Sequence, residues 1–327
     1  MDRAEGLFVE WVGLMESGKR ISVVIPVFNS ELSLENLCDQ LGAELPNIAE
    51  EYEIILVDDG SKDNSWEVVS RLAEADQRIC GIRLSRNYGQ HNALLCGIRA
   101  AKFDVVVTMD DDLQNPVSEI SKLLDRLNEG FDVVYGTPEK QQHGLFRNLA
   151  SSLTKLALQN VMGAEIAKKV SAFRAFRTRL RCGFENYSSP YVSIDVLLTW
   201  STSNFTTVTI AHAPRVLGQS NYTIWKLVGH AITLVTGFSI FPLRLASFIG
   251  FLFTFIGAAI LAWVVGRYLI YGTSVPGFAF LASIIALFSG VQLFVIGVFG
   301  EYLARIHFRS MTKPSYVIAE ENVGREG

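Results

Sequence analysis

Five short apolar runs recur in the first half of the chain, at 21–28 (ISVVIPVF), 53–58 (EIILVD), 80–85 (CGIRLS), 104–109 (DVVVTM) and 132–136 (DVVYG). Each is rich in Val and Ile and lacks a clean polar face, which predicts strands buried on both sides. Helical segments fill the gaps, at about 31–44, 63–75, 89–101 and 116–129. Strand and helix therefore alternate, and the pattern predicts an α/β fold on a mostly parallel sheet. Sheets of this kind bind ligands at the carboxyl ends of their strands. Here those ends are IPVFN (25–29), VDDGS (57–61) and MDDDLQNP (109–116).

The pattern changes after residue 243. Leu245 to Gly266 is a run of 22 residues without a charge. As a helix it spans about 33 Å, enough for the hydrocarbon layer of a bilayer. Arg267 and the break YGTSVPG follow, and a second apolar run extends from Phe278 to Gly300, closing at Glu301. The two runs predict a transmembrane hairpin. Arg244 on one flank and Arg305, Arg309 and Lys313 on the other outweigh Arg267 in the short connector, so both termini are expected in the cytoplasm. Asn221 to Leu243 is apolar but carries Trp225, Lys226 and His230, which suits an interfacial helix better than a third span. Gly250, Gly257, Ala258, Gly290, Gly297 and Gly300 allow close helix packing, and with it a homo-oligomer.

Composition sharpens this division. Residues 1–243 carry 52 of the 62 charged side chains of the 327-residue chain. A net charge of −4 gives no global case for nucleic acid. Locally, Lys140 to Arg181 holds nine Lys and Arg against one acid, Glu165. A solvated helix face and an anion-binding face both account for it. Cys38, Cys80, Cys96 and Cys182 show no metal spacing and read as reduced thiols. Asp2, Glu5, Glu10 and Glu16 precede any long apolar run, the wrong order for a signal peptide. The expected whole is an integral protein of the cytoplasmic membrane with a cytoplasmic α/β domain.

The third strand end carries the chemistry. Asp110, Asp111 and Asp112 directly follow an apolar strand, and three carboxylates so close repel unless a cation or hydrogen-bond donors compensate them. Alternation along an extended strand end puts Asp110 and Asp112 on one face, with Gln114 adding a neutral oxygen. An all-oxygen set suits Mg²⁺ or Mn²⁺. The plainer alternative is a turn leading into the helix after Pro116, where acids are favoured anyway.

IPVFN, VDDGSKDNS, RNYGQHNAL, MDDDLQNP, SAFRAFR and PRVLGQSNYTIWKL, in this order and ahead of two spans, resemble the polyisoprenyl-phosphate glycosyltransferases. These are family-2 glycosyltransferases of GT-A fold, among them bactoprenol glucosyltransferases, dolichol-phosphate mannose synthases and undecaprenyl-phosphate aminoarabinose transferases. The resemblance covers about residues 20–310. It implies donor-nucleotide contacts at Pro26, Val27 and Asp58, and a metal with the donor diphosphate at Asp110, Asp112 and Gln114, with Asp111 beside them. Asp59 either joins the donor site or holds the Gly60 turn through an Asx-type bond. Asn87 is either a helix cap or a site residue. The resemblance further implies acceptor-phosphate contacts at Arg147 and Ser151, one helical turn apart, and a phosphate clamp at Arg215 with Ser220 near the membrane. Arg174 and Arg177 alternate poorly for an amphipathic strand, which favours an acceptor-phosphate role for Arg174. Asp195 either orients the sugar or sits at a helix cap or on the surface.

Four positions depart from the family pattern. Asp111 stands where Ala is common, Ser30 replaces an acid after Asn29, Lys140 is the nearest cation where an arginine is usual after the fifth strand, and Asn221 replaces a lysine. The implied layout is an N-terminal extension (1–20), a GT-A catalytic domain (21–219), interfacial helices (220–243), two spans within 244–304 (about 245–266 and 278–300) and a cytoplasmic tail (305–327). The implied reaction is inverting, metal-dependent transfer of a sugar from a nucleotide-diphosphate sugar, UDP-glucose as first choice, to undecaprenyl phosphate. Mannose-type and aminoarabinose-type donors are the alternatives within the family. Outside it stand a processive polysaccharide synthase, which would carry a Q-x-x-R-W segment not found here, and a non-enzymatic membrane scaffold, which has no use for a triple aspartate.

Overall fold

The computed structural model describes residues 20–138, 169–211, 241–271, 277–311 and 313–323. Residues 20–138, 169–211 and 313–323 belong to one compact unit and the two long apolar helices to another. The first unit is built on β1 (Arg20–Val27), α1 (Leu34–Ile48), β2 (Glu51–Asp58), α2 (Ser65–Ala75), β3 (Ile79–Leu84), α3 (Gln90–Ala100), β4 (Val105–Thr108), α4 (Ile120–Asn128), β5 (Val133–Pro138), β6 (Arg174–Arg177), α5 (Ile194–Ser201), β7 (Phe205–Ile210) and, after the apolar helices, β8 (Ile318–Val323).

All eight strands form one sheet in the order β7-β5-β6-β4-β1-β2-β3-β8. The pairs β1–β2, β2–β3, β1–β4 and β5–β7 are parallel, and β4–β6, β5–β6 and β3–β8 antiparallel. The continuous apolar runs become the central strands because both faces are covered: in β1 and β2 every residue after the first is buried. Helix α1 turns Leu34, Leu37, Cys38, Leu41 and Leu45 onto the sheet, and α4 does the same with Ile120, Leu123, Leu124 and Leu127, the spacing of a single helical face. Helix α3 lies against β1 and β2 at Gly97, where an added Cβ would come 2.4 Å from Val24 Cγ1 and 3.1 Å from Val57 Cγ2. One buried acid serves the opposite end of the sheet: Glu53 accepts from Ser22 Oγ (2.6 Å) and the Lys102 amide (2.7 Å), fixing the α3–β4 turn.

The chain runs outward from β1 through β2 to β3 and then crosses back to place β4 on the other side of β1. The direction of winding therefore reverses between β1 and β4, and a crevice opens at their carboxyl ends. Ladder pairing widens it: β4 stops at Thr108, opposite Val24, while β1 continues to Val27 alongside β2. Pro26 lies in this overhang, beyond the β4 ladder, where a residue without an N–H is tolerated.

Three strands depart from expectation. SAFRAFR contains β6, a strand between β4 and β5. β7 was not anticipated. The expected cytoplasmic tail contains β8, which pairs with β3 and completes the sheet edge.

The second unit contains α6 (Phe241–Tyr271) and α7 (Phe278–Ser310). Leu243–Tyr271 and Leu287–Ala304 are long and apolar enough to cross a membrane, with mean hydropathies of 2.4 and 1.6. Both helices outrun the charge-free segments at their ends: α6 passes Arg267, whose guanidinium lies over the Trp263 and Tyr271 rings, and α7 passes Glu301. Within the hairpin Phe253 and Phe288 meet edge to face at 6.0 Å, and Phe288 lies over Gly257. The expected interfacial segment lies outside the described residues up to 240, and 241–243 already belong to α6.

Candidate active site

Three loops meet at the crevice, held by side chains that bind neighbouring backbone. In the β1–α1 loop Asn29 takes a left-handed φ of 55°, which Asn accommodates better than most residues. Its amide donates to Ser61 Oγ (3.0 Å) and its Oδ1 accepts from the Lys62 amide (2.8 Å). Glu31 and Asp63 complete the clasp by accepting from the amides of Asn64 and Glu31 respectively. The β2–α2 loop in turn presses on the start of α3. Gly60, at φ 68°, comes so close that a Cβ there would lie 2.6 Å from the Arg86 carbonyl carbon. Only glycine fits that approach and that φ.

Asp59 joins the same loops. Its two oxygens accept from the amides of Tyr88 (2.7 Å) and Gly89 (2.8 Å), so it carries the RNYG turn into α3. Burial pushes its carboxyl up to about 6, against the pull of those two donors. The Asx-type bond expected of Asp59 is made instead by Asp58, whose Oδ1 accepts from the Ser61 amide (3.1 Å). Asp58 is fully buried, and burial raises its carboxyl above the usual range. Its Oδ2 accepts no hydrogen bond; Arg83 Nε lies 3.6 Å away. Pro26 and Val27 are also buried, so Pro26, Val27 and Asp58 form the floor of the crevice and not an open wall.

The acids of MDDDLQNP lie just past β4, in a turn where Leu113 adopts φ 57°. A non-glycine residue held there costs about 1–3 kcal/mol, and such strain gathers at functional turns. Asp110 Oδ1 accepts from Gln90 Nε2 (2.6 Å), and Asp112 Oδ1 accepts from the Gln114 amide (3.2 Å). Asp111 turns back across the crevice, its Oδ2 accepting from Ser30 Oγ and from the Phe28 amide. Burial raises the Asp111 carboxyl, offset by these donors and reinforced by Asp112. Asp111 thus ties the β4 turn to the β1 loop. Two of the departures from the family pattern, Ser30 and Asp111, are hydrogen-bonded to each other.

Among the described residues no group of three or more His, Cys, Asp and Glu side chains is gathered as a metal site. The set expected for a divalent ion is smaller, two carboxylates and an amide. Asp110, Asp112 and Gln114 are half-buried at the crevice, offer oxygen and no sulfur or imidazole, and fit a hard cation such as Mg²⁺ or Mn²⁺.

Arg174 and Asp195 require correction. Arg174 is 1% exposed. Its Nη1 donates to Asp195 Oδ1, its Nε donates to Thr108 Oγ1 (3.1 Å), and its guanidinium lies 5.9 Å from the Tyr135 ring centroid. Tyr135 Oη also donates to Asp195 Oδ1 (3.0 Å), and burial, with the Asp195 charge, holds that phenol well above its usual range. Arg174 therefore faces into the protein and not toward an acceptor phosphate. Asp195 is neither a cap nor a surface residue; it lies buried in the first turn of α5. The poor alternation of SAFRAFR has a structural cause, since the buried charge is neutralised internally. Arg147, Ser151, Arg215 and Ser220 lie outside the described residues. Gln90, Tyr135 and Thr108 were missed. Gln90 stands in the RNYGQH segment, whereas nothing in the sequence marks the other two.

Comparison with known proteins supplies the rest. The profile "Glycosyl transferase family 2" matches residues 22–184, the span from β1 to the turn after β6. Undecaprenyl-phosphate 4-deoxy-4-formamido-L-arabinose transferases from Yersinia pestis (strain Pestoides F) and Yersinia pseudotuberculosis (serotype O:3, strain YPIII) are each 34% identical over 318 residues, covering 96% of this chain and 97% of theirs. The chain belongs to glycosyl transferase family 2. It is a glycosyltransferase of GT-A fold. Among solved structures, glucosyl-3-phosphoglycerate synthase from Mycobacterium tuberculosis, in complex with Mn²⁺, UDP-glucose and phosphoglyceric acid, shares the fold at a TM-score of 0.52 and 21% identity, over 68% of this chain and 79% of that one.

Proposed function

We propose that this glycosyltransferase moves a sugar from a nucleotide-diphosphate donor to a polyisoprenyl phosphate, undecaprenyl phosphate in the first instance, at the cytoplasmic membrane face. The observation that carries the reading is the position of Asp110–Asp112, at the reversal point of the sheet in a chain that also contains two helices able to cross a bilayer. The near full-length match to undecaprenyl-phosphate 4-deoxy-4-formamido-L-arabinose transferases supports the acceptor class, and favours an aminoarabinose-type donor over the UDP-glucose first expected.

The mechanism follows from charge. The acceptor phosphate has a second pKa of about 6, so at neutral pH it is already a nucleophile and requires no dedicated base. Asp110, Asp112 and Gln114 would hold the divalent ion, which supplies neutralisation of the departing diphosphate. The rest is positioning. Asp111 fixes the β1 loop over the crevice, Gln90 orients Asp110, and Asp59 holds the start of α3 in place. Asp58 Oδ2, buried beneath the crevice without a hydrogen-bond partner, is the proposed acceptor for an N–H of the donor base. Arg147, Ser151, Arg215 and Ser220 are the proposed phosphate contacts, and direct displacement inverts the anomeric centre. The Arg174–Asp195–Tyr135 cluster, buried and joined to the end of β4 at Thr108, has a structural role in this reading.

A donor panel tests the reading. Purified full-length protein is given undecaprenyl phosphate with nucleotide-linked 4-deoxy-4-formamido-L-arabinose, UDP-glucose or GDP-mannose, and the lipid is analysed by mass spectrometry. The expected product carries one formamido-arabinose joined through a monophosphate. Polymer formation, or no glycolipid from any donor, contradicts the proposal.

A further inference from the structure

β8 completes the sheet edge, and its chemistry extends toward the crevice. Val27, Asp58, Arg83 and Glu320 stand in register across β1, β2, β3 and β8. Paired residues on neighbouring strands project from the same face, so this row sets a negative, a positive and a negative side chain next to one another at the carboxyl ends of the parallel strands. Trp66 of α2 lies against Arg83 and Glu320. The Arg83 guanidinium lies 5.6 Å from the Trp66 ring centroid, and Trp66 Nε1 donates to Glu320 Oε2 (3.1 Å). Arg83 Nη1 donates to Glu320 Oε1 (3.3 Å).

Arg83 is shared unequally. It bonds to Glu320 yet stays 3.6 Å from Asp58 Oδ2, within ion-pair range and too far for a hydrogen bond. A buried carboxylate without a countercharge would take up a proton. One bonded directly to arginine would have that acceptor occupied. In the observed arrangement Arg83 stays within ion-pair range of Asp58 while Oδ2 has no hydrogen-bond partner.

We infer that Glu320, on the strand that follows the apolar hairpin, is a positioning residue for the donor site: it holds Arg83 at a distance that leaves the buried Asp58 Oδ2 without a hydrogen-bond partner, an acceptor reserved for the donor nucleotide. This rests on the reading of Asp58 as a nucleotide contact. Arg83 then acts as the intermediate, and β8 becomes part of the catalytic unit and not a tail.

The test uses full-length protein in nanodiscs, with Glu320→Gln, Arg83→Met and Arg83→Lys variants. Glu320→Gln keeps an acceptor for Trp66 Nε1 but releases Arg83 toward Asp58. Steady-state KM is measured separately for donor and acceptor, binding of UDP, GDP, CDP and dTDP by calorimetry, and thermal midpoints serve as the folding control. Glu320→Gln and Arg83→Met are expected to raise donor KM and the Kd of the bound nucleoside diphosphate by about fivefold each, a loss near 1 kcal/mol. Acceptor KM stays unchanged, and Arg83→Lys recovers part of the loss. Folded variants with wild-type nucleotide affinity and donor KM overturn the inference alone. Weakened nucleotide binding in variants of a protein that transfers no sugar overturns the transferase reading and upholds the coupling. Wild-type protein that neither binds a nucleotide nor transfers a sugar overturns both.

Discussion

The buried Arg174–Asp195 pair shows why single residues are hard to assign from sequence. An arginine in a basic stretch reads as a phosphate ligand, yet here it is neutralised by an aspartate twenty-one positions away and capped by Thr108 and Tyr135. Removing one member strands a buried charge, which typically costs about 3–5 kcal/mol. Arg174→Met should therefore lower the thermal midpoint sharply, the double variant Arg174→Met/Asp195→Asn should recover much of the loss, and acceptor KM of the folded protein should not move. Asp59 yields a pH prediction. Its carboxyl titrates near 6 in the folded chain against 3.8 when unperturbed. The folded state holds this proton more tightly, so the group favours folding most in acid. That contribution, about 3 kcal/mol, is lost as pH rises through 6. Asp59→Asn also gives up one backbone bond, but at every pH. The wild-type midpoint minus the Asp59→Asn midpoint should accordingly fall between pH 4 and pH 7, as followed by thermal unfolding. The acids of the crevice were legible because DDD after an apolar strand is electrostatically conspicuous. Which of them binds a loop was not: Asp111 accepts from Ser30 and Phe28 in a turn where Leu113 takes a φ of 57°, a backbone conformation that residue types do not display.

Among the elements, the central strands and the helices between them were readable, because parallel strands covered on both faces leave unbroken apolar runs. β6 and β8 were not. RAFR carries two arginines, and IAEENV carries Glu320, whose partners Trp66 and Arg83 lie 254 and 237 residues back along the chain. Their charge is satisfied by distant contacts, which local periodicity does not record. The apolar helices were legible as helices but their ends were not, since the backbone continues helical past Arg267 and Glu301. Packing of α3 on the sheet depends on Gly97. A branched side chain there must displace Val24 and Val57, and overpacking of this kind costs about 1–3 kcal/mol. Gly97→Val should lower the midpoint in thermal denaturation while leaving the membrane-bound fraction unchanged; an unaltered midpoint would show that α3 does not need this approach.

For the whole molecule, the proposed function asks one chain to serve a polar donor and a lipid acceptor, and the division into an α/β unit and a pair of long apolar helices suits that demand. The excess of flanking arginine and lysine predicts that the connector between α6 and α7 faces away from the cytoplasm. A Ser274→Cys variant on a cysteine-free background should then react with a membrane-impermeant maleimide in intact cells, and a Ser310→Cys variant, at an exposed position past the second apolar helix's charged flank, should not; the reverse pattern would invert the proposed topology. The central claim is that Asp110 and Asp112 act at the donor diphosphate through a divalent cation. Its most direct test is the initial rate of sugar transfer to undecaprenyl phosphate by purified wild-type and Asp112→Asn protein, with and without chelator. The account predicts that chelation stops the wild type, that Mg²⁺ or Mn²⁺ restores it, and that Asp112→Asn loses about a hundredfold or more in rate, of the order seen when one electrostatic stabiliser is removed from an active site. Wild-type transfer that persists under chelation, matched by Asp112→Asn, would contradict it.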